Sequence, residues 1–378
     1  MIAYYLLIGI SILIYIFMFN MKNRDRYAIC AFFFMFFGML ALRDISNGID
    51  LKAYLHYFNR FSKYTWKQCW TSDELESGYI LLNKIVSVFS ENYQFLIYVV
   101  AAISVFPYAW LYMEEEGDAV LTIALFIIVA PFSMFFSGLR QVVAMAFVVP
   151  AYGFVKKKQI VPFIGCVILA CLFHKSAFVV LLLYPAYHIK LKKSYIPLLI
   201  LALAFAFLFR IEILTTGLKL IGGKYAENYG QIVDTGAYEM FLLFCVFLIY
   251  AYVIPSGKEH YLSSFEKNID EYAGMFVGER IEDKELSGLR NILWLVAFIQ
   301  VFASIHLTVM RINYYFLMLI PLLIPKIVKN GKDKLNKLTT LSYFVIVIFF
   351  ISYFFYNAKT GEDILRIFPY VPFWEGGK

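Results

Sequence analysis

Long apolar runs separated by short polar clusters set the character of this chain. Positions 2–19 are almost wholly apolar, basic residues follow at Lys22, Arg24 and Arg26, and 27–42 is apolar again before Arg43. Such runs match the roughly 17 to 25 residues that cross a bilayer as a helix. The pattern returns at 93–113, 119–136, 194–209, 238–254, 292–309, 313–328 and 338–356. In the middle, 135–188 holds apolar segments joined by Lys156-Lys157-Lys158 on one side and His174-Lys175-Ser176 on the other. The length rule predicts an all-α polytopic membrane protein of about eleven spans. One apolar piece, 79–90, is too short to cross and is expected to be re-entrant or interfacial.

Charge then orients the spans, because short loops rich in lysine and arginine stay on the cytoplasmic side. Lys156 to Lys158, the Lys22 to Arg26 cluster, Lys190 to Lys193 and the basic stretch 326–337 therefore mark one face. The outer loops become 43–92 and 210–237, and 255–290 becomes a cytoplasmic loop, read as holding an amphipathic helix or, preferably, as a solvated linker. The whole of 1–378 is read as a single integral membrane domain. Glu114, Glu115 and Glu116 fall on the inner side, where acids carry little topological weight.

Composition agrees and excludes other classes. With 61% hydrophobic, 19% aromatic and 16% charged residues, the chain cannot be an ordinary soluble domain. Its net charge of +7 is spread between apolar spans, so it reads as orientation in the bilayer and not as a surface for nucleic acid. Five cysteines, mostly inside apolar segments, make no disulfide framework. The first apolar run lacks a basic leader and a small-residue cleavage site, so it is expected to remain as a span. No metal motif, P-loop or dinucleotide fingerprint is present, so no metal and no cofactor is expected. The absence of an internal repeat counts against a secondary transporter.

The topology delivers a set of polar residues to the outer ends of the spans: Arg43, Asp50, Glu76, Arg140 with Gln141, His174 with Lys175, Arg210, and Arg311. Charges at span ends are costly unless they meet protein, water or a ligand. Arg210 has a bland explanation, an arginine snorkelling to headgroups. For His174, interhelical hydrogen bonding weighs as much as chemistry. Arg140 follows Ser137 and Gly138 at a helix start, where backbone amides and a guanidinium can converge on one anion.

The motifs around these residues are Ala-Leu-Arg at 41–43 with Gly-Ile-Asp at 48–50 and Tyr54, Glu-Ser-Gly-Tyr at 76–79, Ser-Gly-Leu-Arg-Gln at 137–141, Phe-His-Lys-Ser-Ala at 173–177, and Arg-Ile-Asn-Tyr-Tyr-Phe at 311–316. In these the chain resembles the Wzy-type polysaccharide polymerases, in their EpsG-like branch. The resemblance implies a membrane-embedded, C-type glycosyltransferase architecture and a metal-independent transferase. Its donor and acceptor would be polyprenyl-diphosphate-linked repeat units at the outer face of the bacterial inner membrane. The product would be capsule, O-antigen or exopolysaccharide, with a flippase and a chain-length regulator as partners.

On that implication, Arg140 and Arg311, supported by Arg43, would take the diphosphate. Gln141, Lys175, Tyr79 and Arg210 would join substrate binding. Asp50, Glu76 and His174 are the candidates for a general base, and their order stays open. Two competitors remain: an O-antigen-ligase-type transferase using the same donor, and a transporter or flippase of lipid-linked glycan.

Overall fold

A computed structural model describes residues 2–18, 20–115, 117–129, 132–221, 238–253, 284–303, 305, 307–331, 352, 356 and 366–376. Nearly all of the expected span 338–356, most of the 210–237 loop and the stretch 255–283 lie outside these residues. The described elements are helical, and the isolated β-bridge among them pairs Arg43 with Pro372.

In chain order the helices are α1 (Ile2–Phe17), α2 (Arg24–Ala41), α3 (Leu51–Phe61), α4 (Trp66–Thr71), α5 (Ser77–Phe89), α6 (Tyr93–Glu114) and α7 (Ala119–Ile128). Next come α8 (Met134–Ser137), α9 (Leu139–Ala146), α10 (Val148–Lys156) and α11 (Ile160–Cys171). A 3-10 segment (Lys175–Leu182) leads into α12 (Leu183–His188), α13 (Ile196–Leu208) and α14 (Arg210–Ile221). The set closes with α15 (Glu239–Val253), α16 (Lys284–Ala303), α17 (Leu307–Leu317) and α18 (Ile320–Gly331).

Three stretches of the described residues are long and apolar enough to cross a membrane: Tyr93–Glu114, Leu139–Lys156 (α9 and α10 taken as one) and Lys284–Ala303. Two bent pairs raise the number to five: Ile196–Leu208 with Arg210–Gly217, bent by 77°, and Val309–Leu317 with Ile320–Val328, bent by 45°. The expected eleven or so are not reached among the described residues: nearly all of the expected last span lies outside them, and several described apolar runs do not stay helical for a full crossing. The run 119–136 stops at Ile128 and resumes as the single turn α8. The run after Gln159 divides into α11, the 3-10 segment and α12. The short piece expected at 79–90 is α5, thirteen residues beginning at Ser77.

The packed interior is strongly aromatic. Phe32, Phe33 and Phe36 of α2 meet Phe126 of α7 edge to face, and Phe36 stacks on Phe132 with ring centroids 4.8 Å apart. Tyr112 of α6 closes this cluster against Phe33 and donates its hydroxyl to the Met318 carbonyl at 2.6 Å. Such offset and edge contacts each add about 0.5 to 1.5 kcal/mol beyond area burial.

The bundle has two chemically different ends. At one, Lys156 reaches Glu115 at 2.7 Å and Glu285 at 3.0 Å, Lys326 pairs with both carboxylates, and Arg26 pairs with Glu114 at 2.6 Å. Asp25 also accepts from the Ala119 amide at 2.9 Å, which seats the start of α7. Glu114 and Glu115 are thus explained by partners: they neutralise the same end's basic residues. The stretch 284–290 corrects the solvated-linker expectation. Lys284 to Arg290 open α16, with Leu286, Leu289 and Arg290 buried, so the linker ends before Lys284.

The other end is capped by the segment 366–376, which was not anticipated. The Asn47 amide side chain donates to the Pro369 carbonyl at 2.8 Å and accepts from the Val371 amide at 2.7 Å. Asp44 and Leu42 add backbone bonds to Val371 and Phe373.

Candidate functional site

Arg140 lies in the first turn of α9 and Lys156 ends α10, about 24 Å apart along a helical rise of 1.5 Å per residue. The motifs around Arg140 therefore gather at the end opposite the lysine cluster. Glu76, half-turned out of helix as the residue capping α5, is 8% exposed and forms the hub. Its Oε2 accepts from Arg140 Nη1 at 2.5 Å, and its Oε1 accepts from the Lys175 amide at 3.1 Å. His174 Nδ1 stands 3.6 Å from the same Oε1.

Burial alone would raise the Glu76 carboxyl. The interaction with His174, the charge of Arg140 and the Lys175 amide outweigh it, holding the group at about 2. Glu76 is consequently a fixed anion at neutral pH.

Two glycines make this convergence possible. Gly78 donates its amide to the Leu172 carbonyl at 2.9 Å, and a Cβ there would stand 2.7 Å from that oxygen. Gly48 has φ +143, and a Cβ on it would lie 2.2 Å from the Phe136 carbonyl oxygen. The first glycine brings α5 against the end of α11; the second brings the Gly48-Ile49-Asp50 turn against α8.

The turn carries Asp50 to Ser137, whose hydroxyl donates to Asp50 Oδ2 at 3.1 Å and accepts from the Asp50 amide at 3.2 Å. Gln141 Nε2 donates to the Arg311 carbonyl at 2.5 Å, which ties α17 to α9 beside Arg140. Arg311 and Lys175 present exposed side chains. Tyr315 and Ser176 exchange a hydroxyl bond at 3.1 Å and so close α17 onto the 3-10 segment. Tyr79 is fully buried beneath, its ring 5.6 Å from Tyr54, whose phenol interacts with Arg140.

The structure therefore brings together Glu76, Arg140, His174 and Lys175 directly, and Asp50, Gln141, Arg311 and Tyr79 around them. It places two predicted residues elsewhere. Arg43 is 1% exposed, donates to the Leu40 carbonyl at 2.6 Å and lies 5.7 Å from the Phe136 ring centroid, under the 366–376 segment. Arg210 sits at the α13–α14 bend, bonded to the Phe207 carbonyl at 2.7 Å and the Tyr238 hydroxyl at 2.8 Å, over both rings. The second Ser-Gly-Leu-Arg, at 287–290, belongs to α16 near the lysine end, with Gly288 against the Tyr187 ring.

Sequence reasoning passed over Ser176, Tyr315 and Asn47. The first two lay inside quoted motifs, so the signal existed; Asn47 depends on a partner more than three hundred positions away. Among the described residues no group of three or more histidine, cysteine, aspartate or glutamate side chains forms a candidate metal site.

A helical membrane protein with a carboxylate, an arginine and a histidine locked together at one end of its bundle is the class these observations define. The EpsG family profile matches residues 26–371, and the chain belongs to the EpsG family. That membership points to a glycosyltransferase-type role in polysaccharide polymerisation. No curated protein and no solved structure gives a significant match.

Proposed function

We propose that this protein is a polymerase of polyprenyl-diphosphate-linked oligosaccharide repeat units, working at the outer face of the bacterial cytoplasmic membrane. The observation that carries the reading is the convergence of the Glu76, Arg140 and His174–Lys175 motifs on one cluster at the end remote from the lysine run. The lysine end faces the cytoplasm by the positive-inside rule, which leaves this cluster at the outer leaflet, where a lipid diphosphate presents its sugar.

In the reaction an acceptor hydroxyl attacks the anomeric carbon of the donor glycan. The bond from that carbon to the diphosphate oxygen breaks, and polyprenyl diphosphate leaves with the bonding electrons. Arg140, with the exposed Arg311 and Lys175, would stabilise the charge that develops on the leaving oxygen. His174 would take the hydroxyl proton. Its Nδ1 faces Glu76, so an Nδ1–H tautomer leaves Nε2 as the basic nitrogen. Both oxygens of Glu76 are engaged and its carboxyl is held at about 2, which makes it a positioning residue and a poor base. Asp50, bonded to Ser137, fixes the turn that walls the cluster.

Purified protein supplied with lipid-linked repeat units and nothing else should join them into glycans of two or more units that remain on the polyprenyl diphosphate. No lengthening, with transfer only once a different lipid acceptor is added, would indicate a ligase. Movement of the unit across a vesicle membrane without any new glycosidic bond would indicate a transporter.

A further inference from the structure

We infer that Glu76 occupies the anion seat of Arg140 in the resting protein, and that a diphosphate enters by taking Arg140 away from it. This rests on the diphosphate reading of the Arg140 site and deepens it: the carboxylate becomes a built-in competitor of the substrate.

The argument begins with the occupancy of the guanidinium. Arg140 donates to Glu76 Oε2 at 2.5 Å and also meets the Tyr54 phenol, while its Nε is buried without an acceptor. A phosphate forked across two nitrogens is the stronger arrangement for a planar guanidinium, and a neutral Tyr54 phenol with a single carboxylate oxygen does not use that capacity in full. Glu76 cannot stay in place while an anion arrives, because two anions sharing one cation within a few ångströms repel strongly in a partly buried site. Nor does it have to leave the site. Its other oxygen is retained by the Lys175 amide at 3.1 Å and faces His174 Nδ1. Surrendering Arg140 therefore turns the carboxylate from a shared partner of Arg140 and His174 into a partner of the His174 edge alone.

The consequence is an ordered coupling. With no diphosphate present, Arg140 draws the negative charge of Glu76 and His174 is less supported. Once diphosphate holds Arg140, the carboxylate serves the imidazole, so the base is strengthened only when a donor is seated. A polymerase with this arrangement would be protected from activating water in the absence of donor.

The test uses the full-length purified chain and inorganic pyrophosphate as the probe, read by calorimetric binding and by ligand-induced thermal stabilisation. Glu76→Gln removes the competing charge but keeps size and polarity. It should bind pyrophosphate at least about tenfold more tightly than wild type, since a half-buried guanidinium with no carboxylate beside it gains more from an anion. In the elongation assay the same variant should lose most of its turnover number while KM for donor falls. A Glu76 that merely held the fold would lower affinity and turnover together.

Glu76→Asp, which keeps the charge on a shorter arm, should fall between the two and serves if the glutamine variant does not accumulate. Pyrophosphate affinity equal to or weaker than wild type in a monodisperse variant overturns the exchange. Wild-type protein that binds pyrophosphate yet never lengthens glycan overturns the proposed function and leaves the exchange standing.

Discussion

Glu76 gives the residue scale its sharpest handle. Its folded carboxyl lies near 2, below the unfolded value of about 4.3. A depressed carboxylate contributes stability that is complete above the unfolded value and is lost as pH falls towards the folded one. Thermal unfolding of the detergent-solubilised chain should therefore lose stability between about pH 5 and pH 2, and Glu76→Gln should flatten that part of the profile. An unchanged slope would mean that Glu76 is not held as an anion by its neighbours. Arg140→Lys tests the fork: a lysine keeps the charge and loses bidentate geometry, so elongation should drop about 100- to 1,000-fold at normal abundance. Arg210→Lys, at a bend bounded by Phe207 and Tyr238, should elongate at near wild-type rate. The candidates themselves were legible, since arginine, glutamate and histidine at span ends demand a reason. Their ranking was not, because it depends on contacts between positions 64 and 99 residues apart that no spacing rule encodes.

At the scale of elements, the two close-packed glycines decide how the outer pieces dock. Gly48→Ala puts a methyl group into the Phe136 carbonyl with an unfavourable φ, and should cost roughly 1 to 3 kcal/mol, read as a drop in thermal midpoint. Sidedness is tested with cysteines at exposed positions: Lys175→Cys should react with an impermeant thiol reagent from outside intact cells, and Lys157→Cys should not. Reversed labelling would remove the outer-leaflet assignment. Helical content and apolar character could be read directly from the runs of Leu, Ile and Phe. The breaks within those runs could not, because hydropathy counts apolar length and is blind to where the backbone ladder is interrupted, as at Ile128 and between Cys171 and Lys175. The start of α16 was missed for a related reason. Lys284, Glu285 and Arg290 look solvated in sequence, yet Glu285 is neutralised by Lys156 and Lys326 arriving from other helices.

Taken whole, the molecule separates the lysine end, with its ion pairs, from the end that holds Glu76, Arg140 and His174, with an aromatic interior between. In the proposed reaction the cations that stabilise the leaving group belong to the chain itself, Arg140 foremost, so elongation by purified protein should persist in excess chelator. Loss of activity restored only by a divalent ion would refute that. The two-ended layout was foreseen from the lysine clusters, whereas the 366–376 cap was not, since its hold on the outer loop runs through backbone groups and one asparagine. That cap also sets a clock. Asn47 waits for a partner 324 positions further along. At about 5 to 20 residues per second of synthesis, the interval is roughly 16 to 65 s. During that time the loop that carries Asn47 is without its closing contact, which makes it a natural target for proteases and chaperones acting on the unfinished chain.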